Sequence, residues 1–115
     1  MVAVCSDFTA EQQVQLAGRG IPLVVVDPTG EPLHDTPSVG ATNWSGGVSA
    51  TRHLLDLGHT RVAMVSGPTE YLCTRARLDG YRAAMETGRV AVRPELIRIG
   101  TLSVEDGFRL GFGLG

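Results

Sequence analysis

Between Gly67 and Met85 the chain reads GPTEYLCTRARLDGYRAAM, and its polar residues are unevenly spread. Arg75 and Arg77 crowd what the pattern predicts as the first turns of a helix, directly after the apolar run Arg61–Ser66. An arginine at such a handover holds several ligand oxygens with fixed, forked donors. In alternating strand–helix proteins, ligands sit outside the carboxyl ends of strands, beside helix N-termini. Asp27 is the second residue of interest: it closes the apolar run Leu23-Val24-Val25-Val26 and precedes Pro28. Spacing alone favours a turn aspartate bonding its own backbone. Arg77 is balanced between a ligand contact and a surface pair with Glu70 or Asp79. Arg75, two residues away, points elsewhere on the helix and reads as structural. Cys73 fits either a reactive thiol or a small residue filling a tight space, and the second is favoured. His53 and His59 are six apart with Gly58 between them, which gives no metal pair. No nucleophile–base pair or carboxylate dyad stands out, so nothing supports an enzyme.

The elements that must carry these residues alternate. Val2–Ser6 is a short buried strand by its β-branched content. Thr9-Ala-Glu-Gln12 is a capping box that opens a helix running to the Gly18–Gly20 pair. Leu23–Val26 has the unbroken apolar character of a central parallel strand. Pro28–Pro37 holds three of the six prolines and reads as a loop. Ser38–Ala41 suggests a brief strand, and Thr42–Gly47 is polar and glycine-bearing. A helix from there to about Leu57 has Gly58 as its closing glycine. Strand Arg61–Ser66, the Gly67–Met85 helix ending at Gly88, and strand Leu96–Ile99 follow. Ser103 caps a last helix, with Asp106 three residues on. Leu78, Tyr81, Ala84 and Met85 recur at helical spacing and give the core face of the organising helix. The three glycines after Leu110 are expected to spoil the final helix. The terminal Gly-Phe-Gly-Leu-Gly follows no strand, so it is not a dinucleotide fingerprint. The order is that of an α/β fold with parallel strands.

At 115 residues and 43% apolar composition the chain is about one small globular domain. A net charge of −2 argues against a nucleic-acid surface on these residues. No apolar run approaches the roughly 20 residues of a membrane span. The opening MVAVCSDF lacks the features of a signal peptide, so a reducing cytoplasm is the expectation, and Cys5 and Cys73 form no close-spaced motif.

Four stretches in order then carry a resemblance: Gly20-Ile-Pro-Leu-Val-Val-Val-Asp27, Pro37-Ser-Val-Gly-Ala-Thr-Asn43, His53-Leu-Leu-Asp-Leu-Gly-His59 running on to Pro68, and Arg75-Ala-Arg77-Leu-Asp-Gly-Tyr81. Together they resemble the effector-binding domain of the lactose-repressor (LacI) family of bacterial transcription regulators, over residues 1 to about 107. Leu72–Arg77 is similar in flavour to actinobacterial members. The resemblance implies a periplasmic-binding-protein-like type I fold, here incomplete. Residues 1–42 would belong to an N-terminal subdomain and 43–115 to a C-terminal one, with the crossover near 42–47 at Asn43 and Ser45. It implies a small-molecule effector, usually a sugar, held by Asp27 on one subdomain and Arg77 on the other. Cys73, Tyr71 and Leu102 fall at further cleft positions. It implies no cofactor. It also implies homodimers, and operator DNA bound through a helix-turn-helix outside this chain, which would make the chain a fragment. A transporter's sugar-binding protein shares the fold and would need a signal peptide. A non-functional gene fragment and an α/β enzyme complete the range of readings, the enzyme being the least supported. Half of a two-subdomain fold is expected to leave apolar faces bare.

Overall fold

Each helix of this chain is fixed by a signal at one of its ends. The computed structural model describes residues 1–4, 9–28 and 36–114. Helix α1 (Ala10–Gly18) opens on the expected capping box: the Thr9 hydroxyl accepts the Gln12 amide at 3.1 Å, and Gln12 Oε1 accepts the Thr9 amide at 3.0 Å. It closes with Gly20 left-handed (φ 68), the Gly20 amide donating to the Ala17 carbonyl and the Ile21 amide to that of Leu16. This paired closure satisfies carbonyls that a helix end leaves without partners. Helix α2 (Asn43–Asp56) closes in the same way at Gly58 (φ 91), through the Gly58 and His59 amides. Helix α3 (Leu72–Thr87) repeats it again, but its left-handed residue is Arg89 (φ 56), one beyond the expected Gly88. Gly88 is small for another reason: a Cβ there would press on Leu55 Cδ1 of α2. Helix α4 (Val104–Phe112) opens on Ser103, whose hydroxyl accepts the Asp106 amide at 3.1 Å, as expected.

The strands form two parallel sheets. In the first, β1 (Val2–Val4), β2 (Val24–Val26) and β3 (Ser38–Val39) lie in that order, with Val2 opposite Val24 and Val26 opposite Val39. In the second, β4 (Met64–Ser66) pairs with β5 (Ile97–Ile99). The residues flanking the helices thus alternate strand, helix, strand, as the pattern predicts. The Cα radius of gyration is 17.0 Å, against roughly 13 Å for a compact domain of this length, and the extents are 54 × 28 × 18 Å. The chain is elongated because the two sheets do not share a core. The second lobe holds the larger core, Val62, Leu78, Tyr81 and Met85, with Leu55, Met64 and Ile97 against it. In the first lobe, Ala3 and Val25 are buried. Its opposite face is a valine surface, with Val2, Val4 and Val39 each more than half exposed. On α4, Phe108 and Phe112 stack with ring centroids 6.0 Å apart and stay largely exposed. Apolar faces are thus left bare, as expected.

Helices α2 and α3 cross backbone against backbone. A Cβ on Gly47 would overlap the Arg77 carbonyl, and one on Gly80 would overlap the Trp44 carbonyl. No other residue type allows so close an approach.

The structure moves several expected boundaries. The organising helix starts at Leu72 rather than Gly67, because Tyr71 is its extended N-cap and Pro68 and Tyr71 close a turn before it. Asn43, Trp44 and Ser45 are the first turn of α2, so Thr42–Gly47 is helical from Asn43. Strand β4 begins at Met64, not Arg61, and a 3₁₀ turn (Pro94–Leu96) precedes β5. Strand β3 ends at Val39. The final helix is not spoiled: it runs through Gly107 and Gly111 to Phe112. The end of the Val2–Ser6 strand and most of the Pro28–Pro37 loop lie outside the described residues.

Two measurements test this packing. In urea titrations, Gly47→Ala is expected to lose about 1–3 kcal/mol from overpacking. Gly46→Ala, next to it in the same helix but with open space around it, should gain about 0.5–1 kcal/mol. Equal effects would remove the close crossing. Separately, the buried Tyr81 hydroxyl donates to the Val62 carbonyl at 2.8 Å, and burial raises its pKa above the ordinary 10.0 while Arg82 works the other way. Its stabilising contribution is therefore complete below pH 10 and lost as pH climbs towards the folded-state pKa. Tyr81→Phe should cost about 1–2 kcal/mol at pH 7 and remove that part of the alkaline decline in a pH series of melts.

Candidate functional site

Strand β2 delivers Asp27 to the end of the first sheet, and the chain then holds it in an unusual conformation. Its φ is 48, in the left-handed region that Asp tolerates better than most residues. Its amide donates to the Val39 carbonyl at 2.8 Å, and its Oδ1 accepts the Ala41 amide at 2.8 Å. So Asp27 does bond backbone, as a turn aspartate would, but the partner lies 14 residues on, at the entrance to α2. The second carboxylate oxygen has no hydrogen-bond partner among the described residues.

That carboxylate borders a cavity of about 380 Å³, a size ordinary for small-molecule sites. Asp27, Ala41 and Thr42 line it from the first lobe and the crossing, and Asn43, Trp44 and Ser45 from the first turn of α2. Leu72, Cys73 and Ala76 close it from the start of α3. Neither helix has a side-chain cap at its N-terminus, and although the Asn43 amide donates to the Ala41 carbonyl, the Trp44 and Ser45 amides of α2 and the Leu72 to Thr74 amides of α3 have no hydrogen-bond partner among the described residues. Cys73 is buried, which fits a small residue in a tight place.

Arg77 stands in a neighbouring depression of about 280 Å³ that shares Thr42 and Asn43 with the first. Its Nε donates to Asn43 Oδ1 at 2.9 Å, a contact from α3 to α2 rather than the Glu70 or Asp79 pair. The other guanidinium donors are without partners among the described residues. Asp27, Cys73, Asn43 and Ser45 are thus brought to one cavity, and Arg77 to the far side of Asn43.

Tyr71 and Leu102 line neither depression. Tyr71 is the N-cap of α3, where its carbonyl accepts the Thr74 hydroxyl and the Arg75 amide. Leu102 (φ 63) is laid over Gly67 and against Thr74. The turn that places it is fastened by Asp106, whose Oδ2 accepts both the amide and the hydroxyl of Thr101 at 3.0 Å. Asp106 is held below the ordinary carboxylate pKa by its bond to Arg109 and then by those to Thr101.

Trp44 is the lining residue that residue types and spacing did not single out. It sits in the polar, glycine-bearing stretch read as preceding the helix, and its placement in the first turn of α2 brings it to the cavity. Among the described residues no group of three or more His, Cys, Asp or Glu is placed to hold a metal. A depression of about 440 Å³ at the outer edge of the first lobe, between α1 and β2, is larger but has no charged group among the described residues of its lining.

Asp27→Asn keeps an oxygen for the Ala41 amide and tolerates the left-handed backbone, so its melting temperature should stay near that of the unaltered chain. Asp27→Ala loses the bond and strains the turn, and should cost about 1–2 kcal/mol in the same melts. A neutral Asp27→Ala would show that the Ala41 bond does not hold the turn.

Known proteins share this fold. Residues 4–110 match the family described as periplasmic binding proteins and sugar binding domain of LacI family. The HTH-type transcriptional repressor PurR of Histophilus somni (strain 2336) is 30% identical over 109 residues, covering 94% of this chain and 32% of that protein. PurR of Haemophilus influenzae (strain PittEE) is 28% identical over the same shares. Among solved structures, the transcriptional regulator CelR–cellobiose complex superposes with a TM-score of 0.82 at 26% identity, over 98% of this chain and 35% of that one. CcpA of Lactococcus lactis gives 0.81 at 24% identity over 98% and 41%, which supports the fold. The chain spans about a third of the length of the curated relatives it matches. No described helix is long and apolar enough to cross a membrane.

Proposed function

The chain belongs to the family of periplasmic binding proteins and LacI-type sugar-binding domains, and from that premise we propose that it is the effector-sensing portion of a bacterial transcriptional repressor. The observation that carries this reading is the single cavity at which Asp27 of the first lobe meets Cys73 of the second. Residues 1–42 and 43–115 are parts of two subdomains, with Asn43 and Ser45 at the start of the second. A small polyhydroxylated ligand, of the sugar class named for CelR, takes the free oxygen of Asp27. Arg77 reaches it past Asn43 with the guanidinium donors that the Asn43 bond leaves over. Cys73 shapes the floor, while Tyr71 and Leu102 act further out along the cleft.

Sensing requires that the ligand prefer one arrangement of the lobes. A ligand touching both biases their relation by its differential affinity, and that bias is the signal. The name of the PurR relatives, HTH-type repressors, supports operator binding by a helix-turn-helix outside the described residues. Homodimerisation and a cytoplasmic location follow from the same reading, and no enzymatic step is part of it. The bare valine face and the exposed Phe108–Phe112 pair fit a chain that is one part of a longer regulator.

Calorimetric titration with cellobiose and a panel of common mono- and disaccharides tests the site. At least one sugar should bind saturably and raise the melting temperature as mass action requires. Asp27→Asn, which preserves the fold, should weaken that sugar at least tenfold. An unchanged affinity would place the ligand elsewhere.

A further inference from the structure

We infer that Asp106, on α4 and outside the cavity, is the residue that positions the start of α3, acting through the Thr101–Ser103 turn and Leu102. The inference rests on the effector-site reading above and adds a positioning residue to it. Leu102 is held left-handed (φ 63), a conformation that a branched residue adopts only where its surroundings impose it. What imposes it is Asp106 Oδ2, which accepts the Thr101 amide and the Thr101 hydroxyl, each at 3.0 Å. Arg109 holds the other carboxylate oxygen at 3.1 Å, and the Thr101 and Ser103 hydroxyls meet at 3.0 Å. Just before the turn, the Gly100 amide donates to the Ser66 carbonyl at 2.8 Å. The turn is therefore tied to α4 and to the end of β4.

Leu102 is laid where α3 is least secured. Tyr71, the N-cap of α3, offers no side-chain bond, and the helix start is fastened instead by Thr74, whose hydroxyl is shared between the Pro68 and Tyr71 carbonyls. Such bonds are strongest where water cannot compete, and Thr74 is only 1% exposed. A Cβ on Gly67 would overlap both the Leu102 side chain and the Thr74 methyl, so these two side chains close over Gly67 together. Leu102 itself stays 57% exposed, which makes its own burial a weak hold. The bonds to Asp106 carry its position. Leu72 and Cys73, the residues just before Thr74, line the cavity. Without an acceptor at Asp106 the strained turn relaxes, Leu102 leaves Gly67, water reaches the Thr74 hydroxyl, and the first turn of α3 opens locally.

The test follows the reaction of the buried Cys73 thiol with dithionitrobenzoate, in the 115-residue chain carrying Cys5→Ser so that one thiol remains. Asp106→Ala should raise the labelling rate about tenfold as the α3 start opens. Asp106→Asn, whose amide oxygen still accepts from Thr101, should hold the rate within about threefold. Gly67→Ala displaces Leu102 by a different route and should also raise it about tenfold. Arg109→Ala leaves the Thr101 bonds in place and should leave the rate unchanged. The sugar bound in the titration above should weaken about tenfold with Asp106→Ala and keep its affinity with Asp106→Asn. Far-UV circular dichroism establishes that the variants are folded. Unchanged labelling in Asp106→Ala or Gly67→Ala overturns the inference, as does a failure of Asp106→Asn to hold the rate. An equal rise in Arg109→Ala overturns it too, because Asp106 would then act only on α4. So does unchanged sugar affinity in an Asp106→Ala chain that labels faster. If Asp106→Ala does not fold, Gly67→Ala and Asp106→Asn decide in the same terms. If no sugar binds, the effector reading falls, and the labelling rates still decide this one.

Discussion

The contact on which the rest of this chain depends is the crossing of α2 and α3 at Gly47 and Gly80. Two helices approach until the backbone of each fills the space a side chain would need on the other. The consequence for function is one of position. The first turns of both helices come to the same point, so Asn43, Trp44 and Ser45 face Leu72, Cys73 and Ala76 across a small gap. The same crossing lets Arg77 reach Asn43. A side chain at either glycine would separate the helices and open the gap from behind.

The opposite wall depends on a single hydrogen bond. Asp27 belongs to the first sheet, yet its carboxylate grips the Ala41 amide at the approach to α2. That bond fixes where the first lobe ends and how the chain leaves it, and it sets the carboxylate at the cavity. Asp27 therefore has a structural task and a proposed ligand task in one side chain, one oxygen for each. A left-handed backbone at a non-glycine residue is tolerable there because the bond and the turn hold it.

Much of the fold was legible in the sequence. Local signals were strong where chemistry is local: Thr9 with Gln12, Ser103 with Asp106, Gly58 after α2, and the valine run of β2 all appear as their types require. The periodic face of α3, Leu78, Tyr81, Ala84 and Met85, is the core face. Family likeness in four separated stretches agreed with the family match over residues 4–110. What was not legible depended on distant neighbours. Gly46 and Gly47 look alike in sequence, in a stretch that reads only as polar and glycine-bearing, but packing against α3 makes one indispensable and leaves the other idle. The glycines after Leu110 suggested a broken helix, yet α4 runs on through Gly111 to Phe112, with the Ser103 cap and the Asp106–Arg109 pair holding its start. The partner of Arg77 could not be read from helix spacing, because Asn43 is 34 residues away. Trp44 was invisible as a site residue for the same reason.

Amide chemical-shift mapping of the chain on titration with a bound sugar is the most direct test of the cavity as the effector site. The expected perturbations cluster on Asp27, Ala41 to Ser45 and Leu72 to Arg77, residues far apart in sequence and joined only by the α2–α3 crossing. Perturbations centred instead on the outer depression between α1 and β2, around Val14 and Ile21, would contradict the account.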